Sequence, residues 1–142
     1  MVRLTMEFFE GNQVLFIGYS EKYQAFCKQV YQAFSNNGIK VYPVNNKDKG
    51  NFDVKVYKSL EDLPQIPRTA YVLLNRKSAG KAVKELAEKG VRRILFQNTK
   101  NADQSLLEEC SRLGIETIVA CPMMRFGTGF HKIHGFFAGV RK

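Results

Sequence analysis

Asn12-Gln13-Val14-Leu15-Phe16-Ile17-Gly18-Tyr19-Ser20 decides the fold. Val14 to Ile17 form an unbroken apolar run, the pattern of a strand covered on both faces of a parallel sheet. Gly18 ends the run and lets the backbone turn sharply or come close to a ligand. Ser20 is placed to N-cap a following helix. A phosphate at this turn would meet free backbone N–H groups and the positive end of a helix dipole. A phosphate-binding turn of the nucleotide type is therefore expected here, against the simpler alternative of a tight strand–helix connection.

Working outward, strands and helices alternate. Residues 1–11 read as a short helix or arm, with Leu4, Met6, Phe8 and Phe9 expected on the domain surface or against a partner. Phe26, Val30, Ala33 and Phe34 share one helical face, and Asn36-Asn37-Gly38 stops that helix. Ile39 to Val44 is a second strand, followed by a polar loop over residues 45–51. Val54 to Tyr57 reads as extended, and Ser59 can cap a single turn through Leu63 before Pro64 and Pro67 break the chain. Thr69 to Leu74 is a third strand. A helix from Ser78 carries Val83, Leu86 and Ala87 and stops at Gly90. Arg92 to Phe96 is a fourth strand. A helix over about 101–113 stops at Gly114, and Ile115 to Val119 is a fifth strand. This alternation predicts an α/β fold: a Rossmann-like open parallel five-stranded sheet, order 3-2-1-4-5, with helices on both faces. Ligands of such sheets sit outside the carboxyl ends of the strands, so the loops after strands one, two and three are the expected site.

The 142 residues suit a single domain, 1–142, with an arm at 1–11 and a basic tail at 127–142. There are 22 Lys+Arg against 13 Asp+Glu, a formal net charge of +9, which suits a polyanionic ligand. The basic residues are scattered and no RNP-like aromatic motif occurs, so a nucleic acid is not the expected partner. No apolar run reaches the roughly 18 residues of a membrane span. Glu7 and Glu10 interrupt the apolar N-terminal patch, which is not the pattern of a signal peptide. Cys27, Cys110 and Cys121 stand far apart without a CxxC pair, which fits a reducing cytoplasmic setting.

The loops carry the chemistry. The GxGxxG fingerprint is reduced to its first glycine, Gly18. Where an NAD site places a carboxylate for the ribose, the second loop has Val44, Asn45, Asn46 and Lys47. A lysine there suits a phosphorylated ribose, as in coenzyme A or NADP; the alternative is a solvated basic loop. The third loop brings Asn75, Arg76, Lys77 and Ser78 to the same edge. Arg76 and Lys77 can contact pyrophosphate or pantetheine amides, and Ser78 reads as a helix cap. His131 and His134 stand three residues apart, and with Cys121 they fit no standard zinc pattern, so no metal is expected. Cys121 reads as a structural thiol at the end of the fifth strand. Phe126, Phe130, Ile133, Phe136 and Phe137 can pack the tail onto the domain or onto a second subunit, which leaves a homodimer open. No Ser–His–Asp or paired-carboxylate constellation can be assembled.

Five short pieces, in order, resemble the stand-alone CoA-binding domain proteins, which are similar to the nucleotide-binding domain of the succinyl-CoA synthetase α subunit. They are Val14 to Ser20, Tyr42-Pro43-Val44-Asn45, Tyr57-Lys58-Ser59-Leu60, Arg92 to Gln97, and Cys121-Pro122-Met123-Met124. The resemblance implies a Rossmann-like fold and a CoA site. By position, Gly18, Tyr19 and Ser20 would hold phosphate, Val44, Asn45 and Lys47 would lie by the adenosine, and Asn75 to Ser78 would flank the pantetheine. The chain departs from the family's pattern at Asn45-Asn46, where Asn-Pro is usual, and at Glu21-Lys22-Tyr23. The resemblance supplies no reaction, because His131 and His134 do not match the phosphorylated histidine of succinyl-CoA synthetase. The expected function is binding of CoA or an acyl-CoA without catalysis; the alternative is an NADP-dependent reductase or another nucleotide-using enzyme component.

Overall fold

Each apolar run becomes a strand. In the computed structural model, which describes residues 6–20, 22–45, 54–100 and 102–123, the strands are β1 (Gln13–Ile17), β2 (Lys40–Val44), β3 (Thr69–Val72), β4 (Arg93–Phe96) and β5 (Glu116–Val119). The helices are α1 (Gln24–Asn36), α2 (Arg76–Glu88) and α3 (Gln104–Arg112). All four strand pairings are parallel. The buried residues form two clusters, one on each face of the sheet. Phe16, Tyr71 and Leu95 join Val30 and Phe34 of α1 on one face. Leu15, Val72 and Ile94 join Val83 of α2 and Leu106 of α3 on the other. In α1 the buried stripe is Cys27, Val30, Ala33 and Phe34, with Phe26 at its margin.

The expected strand order, 3-2-1-4-5, is corrected to β2-β1-β3-β4-β5. Strand β3 pairs with the side of β1 that β2 leaves open, Leu15 facing Ala70 and Ile17 facing Val72. Pro43 gives the physical reason. A proline has no N–H for a ladder, so its strand belongs at a sheet edge. The order 3-2-1-4-5 would have enclosed Pro43 between two neighbours. As built, the Pro43 carbonyl accepts the Tyr57 N–H at 2.9 Å on the side away from β1. Tyr57 makes only an isolated parallel bridge with Val44.

The arm is also corrected. Phe8 and Phe9 are buried, 5% and 1% exposed, rather than lying on the surface. The Phe9 ring packs edge-on against Phe34 with centroids 5.3 Å apart. Thr69 Oγ1 donates to the Phe8 carbonyl at 2.8 Å, and Arg93 Nη1 donates to the Glu7 carbonyl at 2.7 Å. An amphipathic arm with backbone carbonyls left over finds donors at the starts of β3 and β4, so the Glu7 and Phe8 carbonyls are paired there. Leu4 lies outside the described residues, as does the tail at 127–142 with His131 and His134.

Candidate functional site at the carboxyl edge of the sheet

The corrected order moves the topological switch point. The chain steps outward from β1 to β2, then returns to pair β3 on the other flank of β1. The crevice in such a sheet opens where the order reverses, here between the loops after β1 and β3.

Gly18 sits at that point. Its N–H donates to the Val44 carbonyl at 3.0 Å, while the Leu73 N–H donates to the Ile17 carbonyl at 2.9 Å. The first loop is thus tied to both neighbouring loops through the backbone. Gly18 has φ +98°, and a Cβ there would stand 2.3 Å from the Leu73 carbonyl oxygen. Both the conformation and the contact require glycine.

Tyr19 contributes no side chain to the crevice. Its ring is buried against Phe16 and Tyr31, at centroid distances of 5.0 and 6.3 Å. Its carbonyl accepts the Asn45 Nδ2 at 2.8 Å, so Asn45 pins the first loop to the second. Ser20 is not the N-cap of α1, which begins at Gln24. Its hydroxyl instead accepts the Tyr23 N–H at 3.1 Å, one turn ahead of the helix. Burial raises the pKa of the nearby Cys27 thiol, and Ser20 opposes that shift. Val44 is buried; Lys47 lies outside the described residues.

In the third loop the cap is Asn75, not Ser78. The Asn75 Oδ1 accepts the Ser78 N–H at 2.8 Å, which places Ser78 inside the first turn of α2. A serine three residues into a helix looks like a cap in sequence, but the amide upstream already holds its N–H. Arg76 pairs with Asp103 at 3.0 Å. Asp103 caps α3 through the Leu106 N–H, and that bond, then Arg76, holds its carboxyl below the ordinary value. Lys77 is exposed at the same edge.

Two further residues belong to this edge. Tyr71 is fully buried in β3, and its hydroxyl donates to Gln97 Oε1, just past the end of β4. Burial raises the Tyr71 phenol well above its usual range, and the nearby Cys121 and Cys27 thiols add to this. The signal in sequence was a tyrosine inside one apolar run and a glutamine closing the next. Cys121 is half-buried after β5, whereas burial pushes the Cys110 thiol on α3 up to about 11. Among the described residues no group of three or more His, Cys, Asp or Glu side chains could hold a metal ion. No helix among them is long and apolar enough to cross a membrane.

Known proteins share this architecture. A family model described as a CoA binding domain matches residues 12–127. Over 101 residues, 62% of this chain, the sequence is 28% identical to the α subunit of an ADP-forming acetate–CoA ligase II from Pyrococcus furiosus. The match covers 22% of that larger subunit. A hypothetical protein from Pyrococcus horikoshii OT3 superposes with a TM-score of 0.71 at 22% identity, covering 96% of this chain and 94% of its own. A conserved hypothetical protein from Pyrococcus furiosus gives 0.68 at 20% identity, covering 80% and 97%. These structural likenesses concern the fold.

Proposed function

Because the chain belongs to the CoA binding domain family, we propose that it binds coenzyme A or an acyl-CoA at the carboxyl edge of the sheet and carries out no chemistry of its own. The observation that carries the reading is the Gly18 turn: a positive-φ glycine at the switch point, bonded to the end of β2 at Val44, with the loop after β3 bonded to Ile17 beside it. In this reading Gly18, Tyr19 and Ser20 hold phosphate, Tyr19 through its backbone. Val44, Asn45 and Lys47 flank the adenosine end, and Asn75, Arg76, Lys77 and Ser78 the pantetheine. The proposal extends to a reducing, cytosolic setting, which suits the three free thiols.

Kinship with the acetate–CoA ligase α subunit supports a second reading, a component that presents CoA to separate catalytic parts. Calorimetry with CoA, acetyl-CoA and NADP tests the first: micromolar or tighter binding of a CoA form is expected, and preference for NADP would overturn it. Pure protein that formed thioester from ATP, CoA and acetate would overturn the claim of no catalysis. Within the site, Lys47→Glu is expected to weaken CoA about tenfold by losing a pairing with the ribose 3′-phosphate and adding repulsion. Dephospho-CoA lacks that phosphate and should change far less. Equal losses would remove Lys47 from the phosphate.

A further inference from the structure

We infer that Gln97, held in place by Tyr71, donates a hydrogen bond to a carbonyl oxygen of the pantetheine arm or acyl group, an inference that rests on the CoA reading above. Three observations lead to it. The Tyr71 hydroxyl donates to Gln97 Oε1 from a fully buried position. A glutamine whose oxygen accepts in this way is held at that end, and its Nε2 is left as the end that donates. Among the described residues no acceptor takes the Nε2 hydrogens, although Gln97 is half-buried. Such a donor is satisfied by water or by a ligand. Finally, Gln97 follows Phe96, the last residue of β4, and Phe96 stands beside Val72 of β3, which stands beside Ile17 of β1.

Gln97 therefore shares the carboxyl edge with Gly18, two strand spacings away, or about 10 Å. A ligand whose phosphates lie at Gly18 and whose chain runs across β3 reaches Gln97 with its distal, uncharged part. Apart from the pantoyl hydroxyl, which also donates, the polar acceptors along that part of CoA are carbonyl oxygens: two amides and, in an acyl-CoA, the thioester. The raised pKa of Tyr71 keeps its hydroxyl protonated, so the orientation persists across physiological pH. Gln97 is a binding residue in this account, and Tyr71 is a positioning residue.

The experiment is calorimetric titration of wild type, Gln97→Glu and Tyr71→Phe with CoA, acetyl-CoA and adenosine 3′,5′-bisphosphate, with folding checked by circular dichroism. Glutamate keeps the shape and still accepts from Tyr71, but when ionised it cannot donate. Gln97→Glu should lose about tenfold for at least acetyl-CoA, while the bisphosphate, which carries phosphate but no pantetheine, should shift by less than about twofold. Loss for both CoA and acetyl-CoA assigns the contact to the pantetheine arm; loss for acetyl-CoA alone assigns it to the thioester. Tyr71→Phe should give a smaller loss with the same ligand pattern. A purely structural Gln97 would leave Gln97→Glu binding as wild type does, and that result would overturn the inference. So would an equal loss for the bisphosphate. If Gln97→Glu does not fold, Gln97→Met, which removes donor and acceptor together, is read in the same way. Wild type that binds the bisphosphate and CoA equally well would overturn the inference while leaving the CoA reading standing. Wild type that binds none of the three would overturn the CoA reading itself.

Discussion

The two edges of one sheet are built on opposite principles. At the amino edge the chain closes on itself. Phe8 and Phe9 are sunk into the core, Thr69 and Arg93 hold the carbonyls of the arm, and Arg93 also pairs with Glu116 at 3.2 Å. At the carboxyl edge the loops are fixed mainly by backbone and amide contacts around Gly18, while Asn75 and Lys77 stay exposed. Apolar burial makes the first edge stable. Spare polar groups on a rigid frame make the second able to bind. Substitutions at the amino edge should therefore change stability and leave affinity alone, and those at the carboxyl edge should do more to affinity.

Phe9→Ala is the largest test. Truncating a buried phenylalanine costs about 3–5 kcal/mol, read as a lowered denaturant midpoint, with unchanged CoA affinity in the remaining folded protein. A marked loss of affinity would break the division between the edges. Gly18→Ala comes next, since left-handed backbone and the clash with the Leu73 carbonyl together cost about 2–3 kcal/mol. It should also weaken CoA, because relieving the contact shifts the loop. A Gly18→Ala protein that melted and bound as wild type does would show that the frame is not rigid there. Thr69→Val removes the donor to Phe8 from a fully buried site. A stability loss of about 1–2 kcal/mol is expected with binding untouched.

The smallest effect lies at the capped, exposed end of α3. The folded pKa of Asp103 is lowered from 3.8, so its contribution is fully present above that value and is lost as pH falls through the lower folded value. Asp103→Asn keeps a capping oxygen but does not titrate. Its stability deficit against wild type should be constant near neutrality and shrink below about pH 4. A deficit that persisted unchanged at pH 2 would mean that the Asp103 charge contributes nothing.

The elements were legible because their signals are local. Apolar runs, helical spacing, and glycines after helices placed five strands and three helices in order. The sheet order was not, because it depends on which flank of β1 receives β3 after the long connection over residues 45–68. Pro43 held the relevant clue, as a constraint on which neighbours its strand can take. The arm was misread because Phe8 and Phe9 beside Glu7 and Glu10 resemble a surface pattern, and the groove that accepts them is assembled from α1 and β3. At the carboxyl edge, Gly18 was readable from its place after a strand. The Asn75 cap and the Tyr71–Gln97 pair were not, since each depends on which side chain reaches which atom.

Pro43 has one more consequence, for how the protein behaves when crowded by its own copies. An edge strand is a template on which a foreign strand can zip up. Of the residues of β2 and its extension that point away from β1, Pro43 has no hydrogen to offer and its oxygen is taken by Tyr57, while the Asn45 N–H is held by the Tyr57 carbonyl at 2.9 Å. Among the described residues, Val41 is the one outward position of β2 with neither backbone group taken, and it is itself buried. A single position cannot seed a ladder. This flank is guarded against runaway sheet growth, and a second copy of the chain that docks on this molecule must use side chains rather than strand pairing along β2.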